Sequence, residues 1–237
     1  MSQLPTLTAI LATPVPTTID EVITRLTAID AALPPTNGIA CFNHLYRVVT
    51  ENIRASVQQS EFAAPQFVLQ LDVDFANYYF AALAEYDGGR ETRRAWLPLF
   101  TARERTDIAP IQFALAGMNA HINRDLPLAI VTSCRALAFA APPAADTAER
   151  VDYSRVNDVL ARVEAALRDD YFRGLLDEKQ FAHAEDAVAM WSVRAAREAA
   201  WTSGEVLWHL GSGKLADDYV AALDGTVELA GRGLLLA

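Results

Sequence analysis

His121 and Asp125 stand four residues apart in the segment Gly117-Met118-Asn119-Ala120-His121-Ile122-Asn123-Arg124-Asp125-Leu126-Pro127. At helical spacing the two share one face, one turn apart, near enough to share a proton or a metal ion. A carboxylate so placed fixes the tautomer of the imidazole and raises its basicity, which makes a general base near neutral pH. Asn119 and Asn123 repeat the spacing on the opposite face. A helix that runs through apolar sequence with polar groups on two sides requires partners for them. A purely structural pair that ties helices together satisfies the same pattern.

The surroundings of the dyad are irregular. A helical side chain leans toward the N-terminus, so the imidazole lies over the turn containing Gly117. Gly117, with Ala114 and Ala120, leaves space there for a packed helix or for a ligand. Pro127 has no N–H for the carbonyl of Asn123, which predicts a kink or an end of the helix beside the dyad.

Two other helices carry candidate residues. Phe67, Val68, Leu71, Phe75, Tyr78, Tyr79 and Ala82 form an apolar stripe, and Asp72 falls inside it while Asp74 falls at its edge. A carboxylate on a core face needs a donor, and Arg194, Arg197 or His121 would supply one. Tyr79 on the same stripe is a candidate substrate contact. Late in the chain, Trp191, Arg194, Glu198, Trp201, Glu205 and Trp208 recur at three- and four-residue steps. Rings alternating with charges resemble the wall of a polar pocket, with Arg194 placed to grip a carboxylate or phosphate. An Arg194–Glu198 helical ion pair between structural tryptophans accounts for the pattern equally well.

Three functions remain open on these residues. The first is a small-molecule enzyme without cofactor, with His121 as acid/base, Asp125 as its orienter and Asp72 completing the catalytic set. Arg194, Asn119, Asn123, Trp191, Trp201 and Tyr79 would hold the substrate, for elimination, cyclisation, isomerisation or hydrolysis. The second is a metal-dependent hydrolase with a divalent ion such as zinc on His121, Asp125 and Asp72. The third is a non-catalytic helical binding protein. The first reading is preferred. No glycine-rich phosphate loop or dinucleotide fingerprint is present.

The elements that must position these residues are helical. Thr17 or Thr18 caps a helix that ends at Pro34-Pro35, and Asn37-Gly38 turns into a second helix to about Gln58. A third runs from Pro65 to Tyr86 and stops at Asp87-Gly88-Gly89. A short piece spans Trp96–Arg103, Pro110 opens the dyad segment, and later helices lie near 153–170, 182–210 and 215–235. No segment alternates as a strand does. The expectation is one all-α domain of seven or eight helices without a sheet. Residues 1–16 are expected to be extended or flexible, and 140–150 form a Pro/Ala-rich loop within the bundle.

Composition sets the outer bounds. The chain has 237 residues, 52% of them hydrophobic and 21% charged, with a formal charge of −10. That length buries a substantial core, and that charge argues against nucleic acid or an anionic membrane as partner. Cys41 and Cys134 make no metal-type spacing and are expected as free thiols. With no signal-peptide pattern or long apolar span, a cytoplasmic protein acting on a small molecule is the expectation.

Several local patterns together resemble an uncharacterised, mostly bacterial family, the domain of unknown function DUF 5995. They are Cys41-Phe42-Asn43 with Leu45-Tyr46, Leu71-Asp72-Val73 with Phe75-Ala76-Asn77 and Tyr79-Phe80, and Gly117-Met118-Asn119-Ala120-His121-Ile122-Asn123 with Asp125-Leu126. The C-terminal helix around Trp191, Arg194 and Trp201 is similar too. The resemblance runs from about residue 20 onward and implies a helical fold, with no established activity.

Overall fold

Local capping chemistry fixes where most of the helices begin. The computed structural model describes residues 5–172 and 192–236, and among them every regular element is helical. The N-terminal stretch, expected to be extended, contains a short helix α1 (Leu7–Leu11) whose cap Thr6 accepts from the Ala9 N–H at 3.3 Å. Ile10 is buried in the core, and that contact anchors the segment. Thr18 and Glu21 form a reciprocal capping box at the start of α2 (Ile19–Ala32). Asn37 caps α3 (Gly38–Gln58), and Pro65 takes the first position of α4 (Pro65–Asp87), where its missing N–H costs nothing.

A 3₁₀ turn at Arg94–Trp96 leads into α5 (Leu97–Ala102). The dyad segment follows as α6 (Pro110–Ala120), a π-helical turn (His121–Asp125) and α7 (Leu126–Ala136). Beyond the Pro/Ala-rich loop, α8 (Ala148–Phe172) starts a few residues earlier than its apolar pattern suggests. Ser192 caps α9 (Val193–Leu210), and α10 (Lys214–Leu234) closes the bundle. Trp191 lies outside the described residues.

The 110–136 helix is the central member. Its first half packs on α3 and α10, and its second half on α4 and α9. Most of α6 is buried, from Ile111 through Gly117, as befits a helix apolar nearly all round. Pro127 does not kink or end it. The π turn absorbs the proline instead: the Leu126 N–H bonds to the His121 carbonyl, five residues back, so the chain continues. Among the described residues, no helix is long and apolar enough to cross a membrane.

The space beside Gly117 is filled by protein. A Cβ there would sit 2.3 Å from the Phe42 ring, so glycine permits α3 to close on α6 rather than opening a pocket. Gly117→Ala should therefore destabilise the fold by about 1–3 kcal/mol through overpacking, despite alanine's better helix propensity. Urea unfolding measures the loss, and adding Phe42→Leu should recover part of it. An unchanged midpoint in Gly117→Ala would contradict this packing.

Candidate active site

Asp125 is completely buried, and its two oxygens are held by three donors. Oδ2 lies 3.1 Å from His121 Nδ1 and accepts from Trp96 Nε1 at 3.0 Å, while Oδ1 accepts from Arg124 at 3.0 Å. Trp96 reaches it from the 3₁₀ turn; the other two come from the π turn itself. Arg124 faces Asp224 of α10 at 3.4 Å on its other side. Burial works against the Arg124 charge, but Asp125 and Asp224 outweigh it and hold the guanidinium above its ordinary pKa. Arg124 thus supplies the counter-charge that Asp125 needs.

An ionised carboxylate only accepts hydrogen bonds, so His121 Nδ1 carries the proton and Nε2 carries the lone pair. Nε2 is buried and has no hydrogen-bond partner among the described residues. The imidazole is clamped in the core by Phe75, stacked with ring centroids 3.4 Å apart and planes 5° apart, and by the edge of Tyr46 at 4.7 Å. Burial pushes the His121 pKa below its usual 6.5, against the hydrogen bond and charge of Asp125, which raise it. Asp125 raises the basicity, as expected, yet the net shift is downward. Desolvation wins, and the ring is a neutral base.

Nε2 belongs to a residue that lines a cavity of about 80 Å³. The walls come from α3, α4, α8 and the dyad helix, and nearly all are apolar. Four other polar side chains join His121 there: Asp72 from α4, Tyr46 from α3, Tyr153 from α8 and Arg197 from α9. Asp72 is buried as its place on the stripe predicts, but the expected donor is missing: its Oδ2 has no hydrogen-bond partner among the described residues. Burial raises its pKa to about 7. The Tyr46 hydroxyl is also buried without a partner. Burial first, then the charges of Asp72 and Asp125, push its pKa far above 10, so it stays protonated. Arg197 of α9 reaches the same cavity, bonded to the Tyr153 carbonyl at 2.7 Å and over the Tyr153 ring at 4.2 Å.

The other sequence candidates lie elsewhere. Arg194 sits in the first turn of α9 with its side chain 71% exposed, 3.8 Å from Asp158, so it does not line the cavity. Arg197, one turn further on, takes the buried position because the helix end leaves Arg194 in solvent. Trp201 is core, packed on Phe67 and Tyr153, and donates to Glu205 at 3.1 Å. Glu198 bonds Arg150 rather than Arg194. Tyr79 is fully buried and donates to Asn43 at 3.3 Å. Asn119 donates to the Val227 carbonyl at 2.9 Å and accepts from Asn123 at 3.0 Å. Both asparagines face a separate cleft between the dyad helix, α9 and α10. Trp191 lies outside the described residues.

Tyr46, Phe75 and Trp96 were not expected as site residues, and Arg197 only as one possible donor to Asp72. Tyr46 stood out only within the family resemblance, Phe75 chiefly as part of an apolar stripe, and Trp96 is distant in sequence from Asp125, which it serves. For the metal reading, both Asp125 oxygens are already engaged by donors. Among the described residues no three His, Cys, Asp or Glu gather closely enough to hold an ion. Cys41 and Cys134 are buried thiols outside any disulfide, and burial lifts each to about 11, which disfavours the reactive thiolate.

The Asp72 carboxyl gives a stability test with a defined sign. Its folded pKa is raised from 3.8 to about 7, so the folded state binds the extra proton between those values. Stability is full below the unfolded pKa and is lost as pH rises through the folded one, a penalty on the order of 4 kcal/mol at most. Asp72→Asn removes the titration while keeping the shape. It should raise Tm at pH 8 and change it little near pH 4, in thermal unfolding followed by circular dichroism. An equal shift at both pH values would show that Asp72 does not titrate as a buried acid.

No curated protein and no solved structure matches the chain. The description that does match, over residues 19–237, is "Family of unknown function (DUF5995)". The Asn-Ala-His-Ile-Asn stretch that suggested this kinship spans the end of α6 and the start of the π turn, and it contributes His121 to the contacts around Asp125. The chain belongs to that family, DUF5995.

Proposed function

We propose that this protein is a cofactor-independent enzyme that transforms a small, mainly apolar molecule by proton transfer at His121. One observation carries the reading: Asp125 is pinned by Trp96 and Arg124, it fixes His121 through Nδ1, and the free Nε2 belongs to an apolar cavity wall. A buried nitrogen lone pair without a donor costs stability unless something else uses it. The π turn strengthens the case, because such turns carry a similar cost and recur at functional sites. Asp125 is the positioning residue; His121 is the group that meets substrate. The reaction class spans elimination, cyclisation, isomerisation and hydrolysis, all of which begin with a positioned base.

Incubating the purified protein with a broad pool of small metabolites and following it by mass spectrometry tests the proposal. At least one compound should be consumed, and His121→Asn should slow its conversion by about 100-fold or more. Trp96→Phe should cause a smaller loss, since it removes one of the donors that hold Asp125. Conversion undiminished in a folded His121→Asn variant would remove His121 from the chemistry.

A further inference from the structure

Tyr46 and Asp72 are unusual in the same way as His121. Each is buried, each has a polar atom without a partner among the described residues, and each lines the one cavity that His121 lines. They come from different helices, α3 and α4, so their meeting is a product of the fold. Tyr46 also packs its ring edge against the imidazole. Phe42, Leu71, Phe75 and Ile122 line the cavity with them, and the one described cation on its wall, Arg197, is bonded to the Tyr153 carbonyl and forms no ion pair with Asp72. An unpaired carboxyl in such surroundings takes up a proton, and a carboxylic acid donates where a carboxylate cannot.

We propose that the Tyr46 hydroxyl and the Asp72 carboxyl form an oxyanion-binding pair opposite His121 Nε2, which fits the site to an apolar carbonyl compound deprotonated beside its carbonyl. This rests on the reading of His121 as a base and extends it to the substrate class. Nε2 takes a proton from the carbon next to the carbonyl. The electron pair of that C–H bond becomes a C=C bond, and the C=O π pair moves onto oxygen. The Tyr46 and Asp72 hydrogens hold the resulting enolate oxygen, and the imidazolium returns its proton to carbon. Return at a different carbon of a conjugated system gives an isomer, with no other reactant. A tyrosine and a neutral carboxylic acid in an apolar pocket are a known physical solution for an enolate oxygen, and the raised pKa of Asp72, about 7, keeps it available as a donor below neutrality. Such donors sit ready in a dry site, where they are worth more than in water.

Two probes of nearly equal shape separate the oxyanion pair from mere cavity filling. Pentafluorophenol, an acidic phenol ionised at pH 6, mimics the enolate; hexafluorobenzene has the same ring and no oxygen. The cavity holds about 80 Å³, so a ring enters only if the apolar walls give way, and hexafluorobenzene binding reports whether they do. Fluorine NMR titration of the full chain at pH 6 should show the phenolate bound at least about tenfold more tightly than hexafluorobenzene. Tyr46→Phe and Asp72→Leu should each erase most of that preference while hexafluorobenzene still binds, which also certifies that the variants fold. Equal affinity for the two probes, no phenolate binding, or a preference that survives both substitutions would overturn the pair. Turnover that requires His121 but is indifferent to Tyr46→Phe would likewise overturn it, and would leave the proton-transfer reading standing.

Discussion

Burying Asp125 without any solvent contact is the constraint around which the rest of the molecule is arranged. A bare carboxylate in a core is prohibitively costly, and removing one partner from a buried pair typically costs about 3–5 kcal/mol. The fold meets this with Trp96, His121 and Arg124, and it passes the charge of Arg124 on to Asp224. Asp224 in turn accepts from the Ala95 N–H at 3.3 Å, which closes the circuit on the 3₁₀ turn that presents Trp96. One anion therefore ties the loop at 94–96, the central helix and α10 together. The geometry of the candidate site and the tertiary structure are the same set of bonds.

The two carboxylates of this core are opposites. Asp125 is saturated with donors, and Asp72 has none of the expected ones. Environments that push neighbouring carboxyls toward different protonation states are how acid and base roles are divided within one site. In the proposed reading the saturated carboxylate orients a base, and the unsatisfied one is left as an acid. The apolar walls from α3 and α4 maintain that difference, because water reaching Asp72 would ionise it and erase the contrast.

How much of this was legible in the sequence depends on the range of the signal. Helix positions followed from caps and breakers: Thr18, Asn37 and Pro65 each start the helix that their chemistry suits. The contact between His121 and Asp125 followed from spacing alone, and survived the change from an α to a π turn. Burial of Asp72 followed from its stripe. What failed were inferences about neighbours across space. Gly117 looked like room for a ligand, but the fold gave that room to Phe42. Arg194 and Arg197 are equally plausible by periodicity, and only the start of α9 at Val193 decides which is buried. Asn119 and Asn123 were correctly placed on the far side of the helix, which is the reason they have no part in the cavity. Tyr46 gave no sign beyond the family resemblance, because a tyrosine among apolar residues reads as packing until its hydroxyl is found without a partner.

The π turn has a consequence for the numbering of everything after it. A residue accommodated in a wider turn advances the chain without advancing the helical face by the usual 100° or so, and the two halves of the central helix are thereby out of phase. That offset lets α6 address α3 and α10 while α7 addresses α4 and α9, from what is otherwise a single rod. Removing one residue between His121 and Asp125 would restore a uniform helix and would turn the whole of α7 away from its neighbours. The dyad therefore sits at the phase break of the bundle, the place where chain length is least negotiable. Site and architecture are locked to the same single-residue excess.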